Sequence, residues 1–158
     1  MENRVMALKH SGACIRKVRE IICSDILRYL APNLRHIIER IPPHVIEPAE
    51  EIRLGAYRPL MVYDGMMGWF LCEDGKLCER PEKAYRVTQE DLAGTLELMC
   101  DNSIYAVQDE LRNGYITIPG GHRVGIVGKA VIEEGNVGGL KYFSGMNIRI
   151  SKQMIGAS

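Results

Sequence analysis

The sequence is poor in aromatic residues, with only two Phe and one Trp among 158 residues. Ile, Leu, Val, Met and Tyr must therefore fill its core. It lacks any apolar run approaching about 18 residues, which excludes a membrane-spanning helix. Met1 to Ala13 contain no apolar stretch of the signal-peptide kind, so the cytoplasm is the expected location. No C-x-x-C occurs, and the five cysteines at 14, 23, 72, 78 and 100 are odd in number. These absences argue against a zinc site or a disulfide framework and for free thiols in a reducing compartment. Net charge is missing too, since 20 basic residues balance 20 acidic ones. A strongly basic nucleic-acid binder is thereby disfavoured. Finally, there is no G-x-x-x-x-G-K-[ST], and no G-x-G-x-x-G opens a helix. The backbone cradle and Lys that nucleotide hydrolysis needs are absent.

What is present is a globular composition, 46% hydrophobic and 25% charged. That suits one ordinary domain with a single core. The zero net charge hides a pattern. Residues 1–44 carry a balance of +4, residues 45–110 one of −8, and residues 111–158 one of +4. Such a division suits association with copies of the chain or with a charged neighbour.

The first dozen residues read as a loose tail, and the periodicity turns helical from Ala13. Ser24-Asp25 resembles a helix start, Pro32 an interruption, and Asn33 a cap for Leu34, Ile37, Ile38 and Ile41. Pro42-Pro43 ends that stripe. Strand patterns follow at Glu51–Leu54, Leu60–Tyr63 and Met66–Leu71, with Asp64-Gly65 as a hairpin signal. Tyr85–Val87 reads as one more short strand. Thr88 and Asp91 form a capping box ahead of Leu92, Leu96 and Met99. Asp101–Ser103 separates this helix from another carrying Ile104, Val107 and Leu111, which Asn113-Gly114 stops. The last third is strand again: Tyr115–Ile118, a Pro119-Gly120-Gly121 turn, His122–Gly128, a glycine-rich loop at Glu134–Gly139, and Met146–Ile150. The expectation is an α+β fold: N-terminal helices, then an antiparallel sheet with two helices packed on one face.

Few residues offer chemistry. His122-Arg123 leave one turn, but strand neighbours point to opposite faces, so a structural or interface role is favoured over a shared ligand. His36 and His44 read as solvent-exposed. The paired acids Glu50-Glu51 and Asp109-Glu110 lack the opposed geometry of a catalytic pair and read as solvated surface. Gly135-Asn136-Val137-Gly138 matches the literal GxxG of an RNA-binding loop but sits among strands, beside acids. Met61, Met66, Met67 and Trp69 cluster around the Asp64 hairpin. Core packing is the default for them, with an apolar patch for a partner as the alternative.

An ordered set of phrases runs through the chain: Glu51-Ile52-Arg53-Leu54, Arg58-Pro59-Leu60, Ser103-Ile104-Tyr105-Ala106, Asn113-Gly114-Tyr115-Ile116-Thr117-Ile118, Gly120-Gly121-His122-Arg123-Val124-Gly125-Ile126 and Asn147-Ile148-Arg149-Ile150. Together they resemble the N-terminal part of the stage III sporulation protein AA family, a relative of type II and type IV secretion ATPases. The resemblance runs from about Ser24 to the end and divides the chain into an extension, 1–23, and an α+β domain, 24–158. It implies a fold like the second N-terminal domain of secretion ATPases. It also implies work in the mother cell at the forespore membrane, as part of a channel motor. The partners implied are the ATPase domain of the same protein, neighbouring subunits of a homohexamer, and sporulation channel membrane proteins. Arginines of that domain reach the ring's nucleotide in secretion ATPases. Arg123 and Arg149 are the corresponding candidates here, with His122 and Arg53 as further interface candidates. Family members continue into a RecA-like domain with a P-loop, which this chain lacks. ATP and Mg belong to the full-length family, and this chain by itself is expected to hold no cofactor and not to be an enzyme.

The leading expectation is therefore an assembly and regulatory domain of a sporulation ATPase. A nucleic-acid-binding accessory module is the alternative, and a small-molecule enzyme using His122 ranks last because no nucleophile, metal cluster or acid pair accompanies it.

Overall fold

The computed structural model describes residues 14–100, 104–133, 136–152 and 154–155. A helical stretch opens the domain. It begins as α1, Val18–Ile21, passes through a π turn at Ile22–Ile26 and ends in a 3₁₀ turn at Leu27–Tyr29. Two short helices follow, α2 (Pro32–Ile38) and α3 (Pro43–Ile46). Each starts on a proline, whose fixed φ and missing N–H suit the first helical position. Pro32 therefore opens α2 in place of an Asn33 cap, and the second of the two prolines at 42–43 begins a helix as well as following one. Ser24-Asp25 lie inside the π turn and start nothing. Val18, Ile21 and Ile22 are buried in the core. The division expected at 23/24 thus cuts through a helical stretch that the core needs. The Glu47 carboxylate accepts from the backbone N–H groups of Val18 and Arg19 at 3.2 and 3.4 Å, closing the start of α1.

Six antiparallel strands form the main sheet. They are β2 (Glu51–Gly55), β3 (Met61–Tyr63), β4 (Gly68–Phe70), β5 (Tyr115–Ile118), β6 (His122–Glu133) and β7 (Asn136–Arg149), in the order β4-β3-β2-β7-β6-β5. Two three-stranded meanders are thus joined by the β2–β7 pair. Between them in sequence run α4 (Gln89–Cys100) and α5 (Ile104–Arg112), which pack on β7 and β5 respectively. This is the α+β arrangement expected. Tyr85–Val87 makes only an isolated bridge, Pro59 with Arg86. β7 begins at Asn136, where a loop was expected; residues 101–103, 134 and 135 lie outside the described set. A second, two-stranded sheet joins β1 (Cys14–Ile15) to β8 (Met154–Ile155), which sequence reading missed.

Strand alternation divides the sheet cleanly. One face carries Ile52, Leu54, Val62, Ile116, Val124, Met146 and Ile148, all buried beneath the helices with Leu34, Ile38, Leu92 and Leu96. The other face has no helix on it among the described residues. The expected capping box is formed: the Asp91 N–H donates to Thr88 Oγ1 and the Thr88 N–H to Asp91 Oδ2, both at 3.0 Å. Thr88→Ala should lower stability by about 1 kcal/mol, read by urea denaturation. A change below a few tenths would show that the cap is redundant.

The five cysteines are not all free. Cys72 and Cys78 are joined, Cα 5.5 Å apart, at the neck of the turn after β4, while Cys23 and Cys100 are free. An odd count is compatible with one local bridge, because a tight turn by itself brings two thiols within reach.

Candidate functional site

The candidate residues separate by strand parity. In the antiparallel register, Glu51 pairs with Tyr63 on one side and with Arg149 on the other, and Arg149 pairs with Arg123. Arg53 pairs with Met61 and Asn147 one step along. Arg53, Arg123 and Arg149 therefore share the uncovered face of the sheet. His122, one residue from Arg123, points the other way and is fully buried.

On the open face the guanidinium of Arg123 lies over the Tyr115 ring at 3.9 Å, and that of Arg53 over Tyr63 at 4.2 Å. Stacking holds each planar cation flat and oriented. Arg53 also donates to Glu51 Oε2 at 2.8 Å. Among the described residues, no carboxylate pairs with Arg123 or Arg149. Two like charges directly across a strand pair are unfavourable unless something of opposite sign meets them. A shallow cleft of 320 Å³ lies over this pair, lined also by Gly125, Asn113 and Asn147, with Glu51 on the far side of Arg149. A second cleft of 400 Å³ joins Arg149 to Lys152, with Glu50 and Glu51 on its rim. The arrangement presents two exposed guanidiniums to an anion approaching the sheet. Tyr63 and Tyr115 were not singled out from sequence; their strand parity relative to the arginines is the signal that places them.

His122 does different work. The Ser151 N–H donates to its Nδ1 at 2.9 Å, so the ring proton sits on Nε2 and donates to Asp25 Oδ2, also at 2.9 Å. Both nitrogens are engaged, leaving none to take a substrate proton, and the ring is sealed from solvent. Asp25 stands in the π turn, with Arg16 Nη1 3.4 Å away and the Ser24 hydroxyl donating to it at 2.7 Å. Burial pulls the Asp25 carboxyl upward, but the hydrogen bonds from His122 and Ser24 and the charge of Arg16 outweigh it and hold it below its ordinary 3.8. This cluster fastens the N-terminal helical stretch to the segment after β7. Gly120, at φ +103°, completes it, since a Cβ there would stand 2.6 Å from both Asp25 Oδ2 and His122 Nε2. Among the described residues, no group of three His, Cys, Asp or Glu side chains is placed to hold a metal. No helix among them is long and apolar enough to cross a membrane.

The turn between β3 and β4 is braced as tightly. Asp64 Oδ1 accepts from the N–H groups of Met66 and Met67 at 2.9 and 2.7 Å, and Oδ2 from the Trp69 indole at 3.1 Å. Those donors hold the Asp64 carboxyl below the usual carboxylate range.

Comparison with known proteins agrees with the phrases read from the sequence. The profile of the family described as "Sporulation stage III, protein AA" matches residues 21–158. The chain is similar to the stage III sporulation protein AA of Bacillus subtilis (strain 168), 31% identical over 133 residues, 84% of this chain. It spans only 39% of that relative's length. No solved structure matches it.

Proposed function

The chain belongs to the sporulation stage III protein AA family, and from that membership we propose that it serves sporulation as an assembly and regulatory domain within a larger ATPase. The reading is supported most by one observation: among the described residues, Arg123 and Arg149 lie side by side, exposed and in no ion pair, on a sheet face that no helix covers. An uncovered face with paired cations fits the anionic surface or phosphate of a neighbouring protein surface. Catalysis belongs to the part of the family protein that lies beyond the length spanned here. On this reading the domain is not itself an enzyme; it contacts the ATPase domain of its own protein and those of adjacent subunits in a ring. The acids Glu50 and Glu51, which flank Arg149 on the side away from Arg123, make the face a poor backbone track for nucleic acid.

The test is made in a full-length protein bearing this domain. Arg123→Ala and Arg149→Ala, separately and together, should reduce ATP turnover at least tenfold while leaving the thermal melt within a degree or two, because both side chains are exposed. The double variant turning over ATP at the parent rate would remove the regulatory role from this face.

A further inference from the structure

The Cys72–Cys78 bridge closes a turn that the backbone already shapes. The Cys72 N–H donates to the Lys76 carbonyl at 2.8 Å, and the Gly75 N–H to the Cys72 carbonyl at 2.9 Å. Asp74 Oδ1 accepts from the Lys76 N–H at 2.9 Å. At the neck, Leu71 pairs with Leu77, and the Cys78 N–H donates to the Phe70 carbonyl at 2.9 Å. These bonds set the two cysteine Cα atoms 5.5 Å apart, within disulfide reach.

The turn has one buried point. Gly75, at φ +86°, is pressed against the end of α2: a Cβ there would stand 2.7 Å from the Arg40 Cβ and 2.8 Å from the Ile37 carbonyl oxygen. Glu73, Asp74 and Lys76 beside it are exposed. A turn with one buried contact and a few hydrogen bonds among exposed residues opens locally with ease. Joining Cys72 to Cys78 ties its neck and limits that opening. Phe70, whose carbonyl the neck covers, and Pro81, which follows the bridge, both line an open groove of 940 Å³.

The cysteines differ in what they offer a thiol from solution. Cys100 is buried, and burial, with the nearby charge of Glu97, pushes its thiol up to about 11, which keeps it protonated and unreactive. Cys72 and Cys78 are half-buried and lie on an exposed turn. Exposed disulfides are the ones that exchange most readily.

We propose that Cys72 and Cys78 form a reversible thiol–disulfide exchange site for a small monothiol of the glutathione class, and that the bond sets how firmly the 71–78 turn is held on α2. A glutathione thiolate attacks one bridge sulfur; the S–S bond breaks and the other cysteine leaves as a thiolate, which takes a proton. A second glutathione attacks the mixed disulfide, releasing the second cysteine thiol and oxidised glutathione. Two electrons pass in all: the bridge is reduced and two glutathiones are oxidised. The reverse steps close the bridge, and the preformed turn makes the last of them intramolecular. Nothing in the exchange involves Arg123, Arg149 or nucleotide, so its outcome is separate from that of the ATP-turnover test.

The purified chain is equilibrated in a series of glutathione buffers from oxidised to reduced, free thiols are alkylated, and Cys72 and Cys78 are read by mass spectrometry. Both should gain the label together in one transition and lose it on return to oxidised glutathione. Amide hydrogen exchange at Gly75, Lys76 and Cys78 should be at least about tenfold faster in the reduced chain, while Leu96 within α4 changes by less than about twofold. The variant C72S/C78S should exchange like the reduced parent in every buffer. A bridge that survives reduced glutathione is a fixed staple, and thiols that stay labelled in oxidised glutathione are no exchange site; either result overturns the proposal. So does a turn whose amides exchange at one rate with the bridge closed, opened or replaced by serines.

Discussion

His122→Ala should lower the free energy of unfolding by about 2–4 kcal/mol, one of the two largest single-residue effects expected in this protein. Three losses combine. The Ser151 N–H loses its acceptor, Asp25 Oδ2 loses the imidazole donor, and a cavity opens where a fully buried ring stood. The sign of the pH effect follows from Asp25. Its carboxyl is depressed in the folded state, so its contribution is complete above its unfolded value of 3.8 and is lost as pH falls through the lower folded value. In the variant the depression shrinks, and the acid limb of the stability profile should become shallower. Urea denaturation at pH 7 and across the acid range measures both effects. A loss under about 0.5 kcal/mol at pH 7 would mean that the cluster is not a fastening between the helical stretch and the sheet.

Gly145→Ala should cost about 1–3 kcal/mol, and Gly145→Val more, through overpacking alone. A Cβ at Gly145 would lie 2.6 Å from the Leu54 carbonyl oxygen and 3.3 Å from the Gly55 Cα. Those are backbone atoms of β2, and moving them disturbs the one strand pair that joins the two meanders. Gly125 is the internal control. It stands in β6, in the same sheet, but a Cβ there would meet nothing within 4 Å. Gly125→Ala should fall within about 0.5 kcal/mol of the parent, by the same denaturation experiment. Equal effects at the two positions would mean that strand propensity, not backbone approach, governs them.

Much of this molecule is readable from local rules. The Thr88–Asp91 box announces α4, and the Leu92, Leu96 and Met99 stripe announces its buried face. Asp64-Gly65 marks the hairpin, and Asn113-Gly114 ends α5 in a left-handed step at φ +87°. Local rules fail where context supplies a competing cause. Asn33 is a good cap, but Pro32 before it is a better first residue. Ser24-Asp25 look like a helix start, yet the apolar spacing of Ile21, Ile22 and Ile26 keeps the chain helical through them, with Asp25 drawn to His122 from 97 residues away in sequence. The β1–β8 pair joins the ends of the described chain, a contact no window of sequence contains. The Cys72–Cys78 bridge was hidden by an odd count.

By itself, the sequence determined most of the main-sheet strands and the two long helices, the α+β class, the family and the opposite orientations of His122 and Arg123, because each rests on nearest-neighbour chemistry, period-two alternation or an ordered set of local phrases. Only the tertiary structure decided which strands are neighbours. That choice set Arg149 beside Arg123 with no acid between them and buried His122 against Asp25. The physical reason is that strand pairing is chosen by the burial of the whole sheet against its helices, a sum over distant residues that no local pattern encodes.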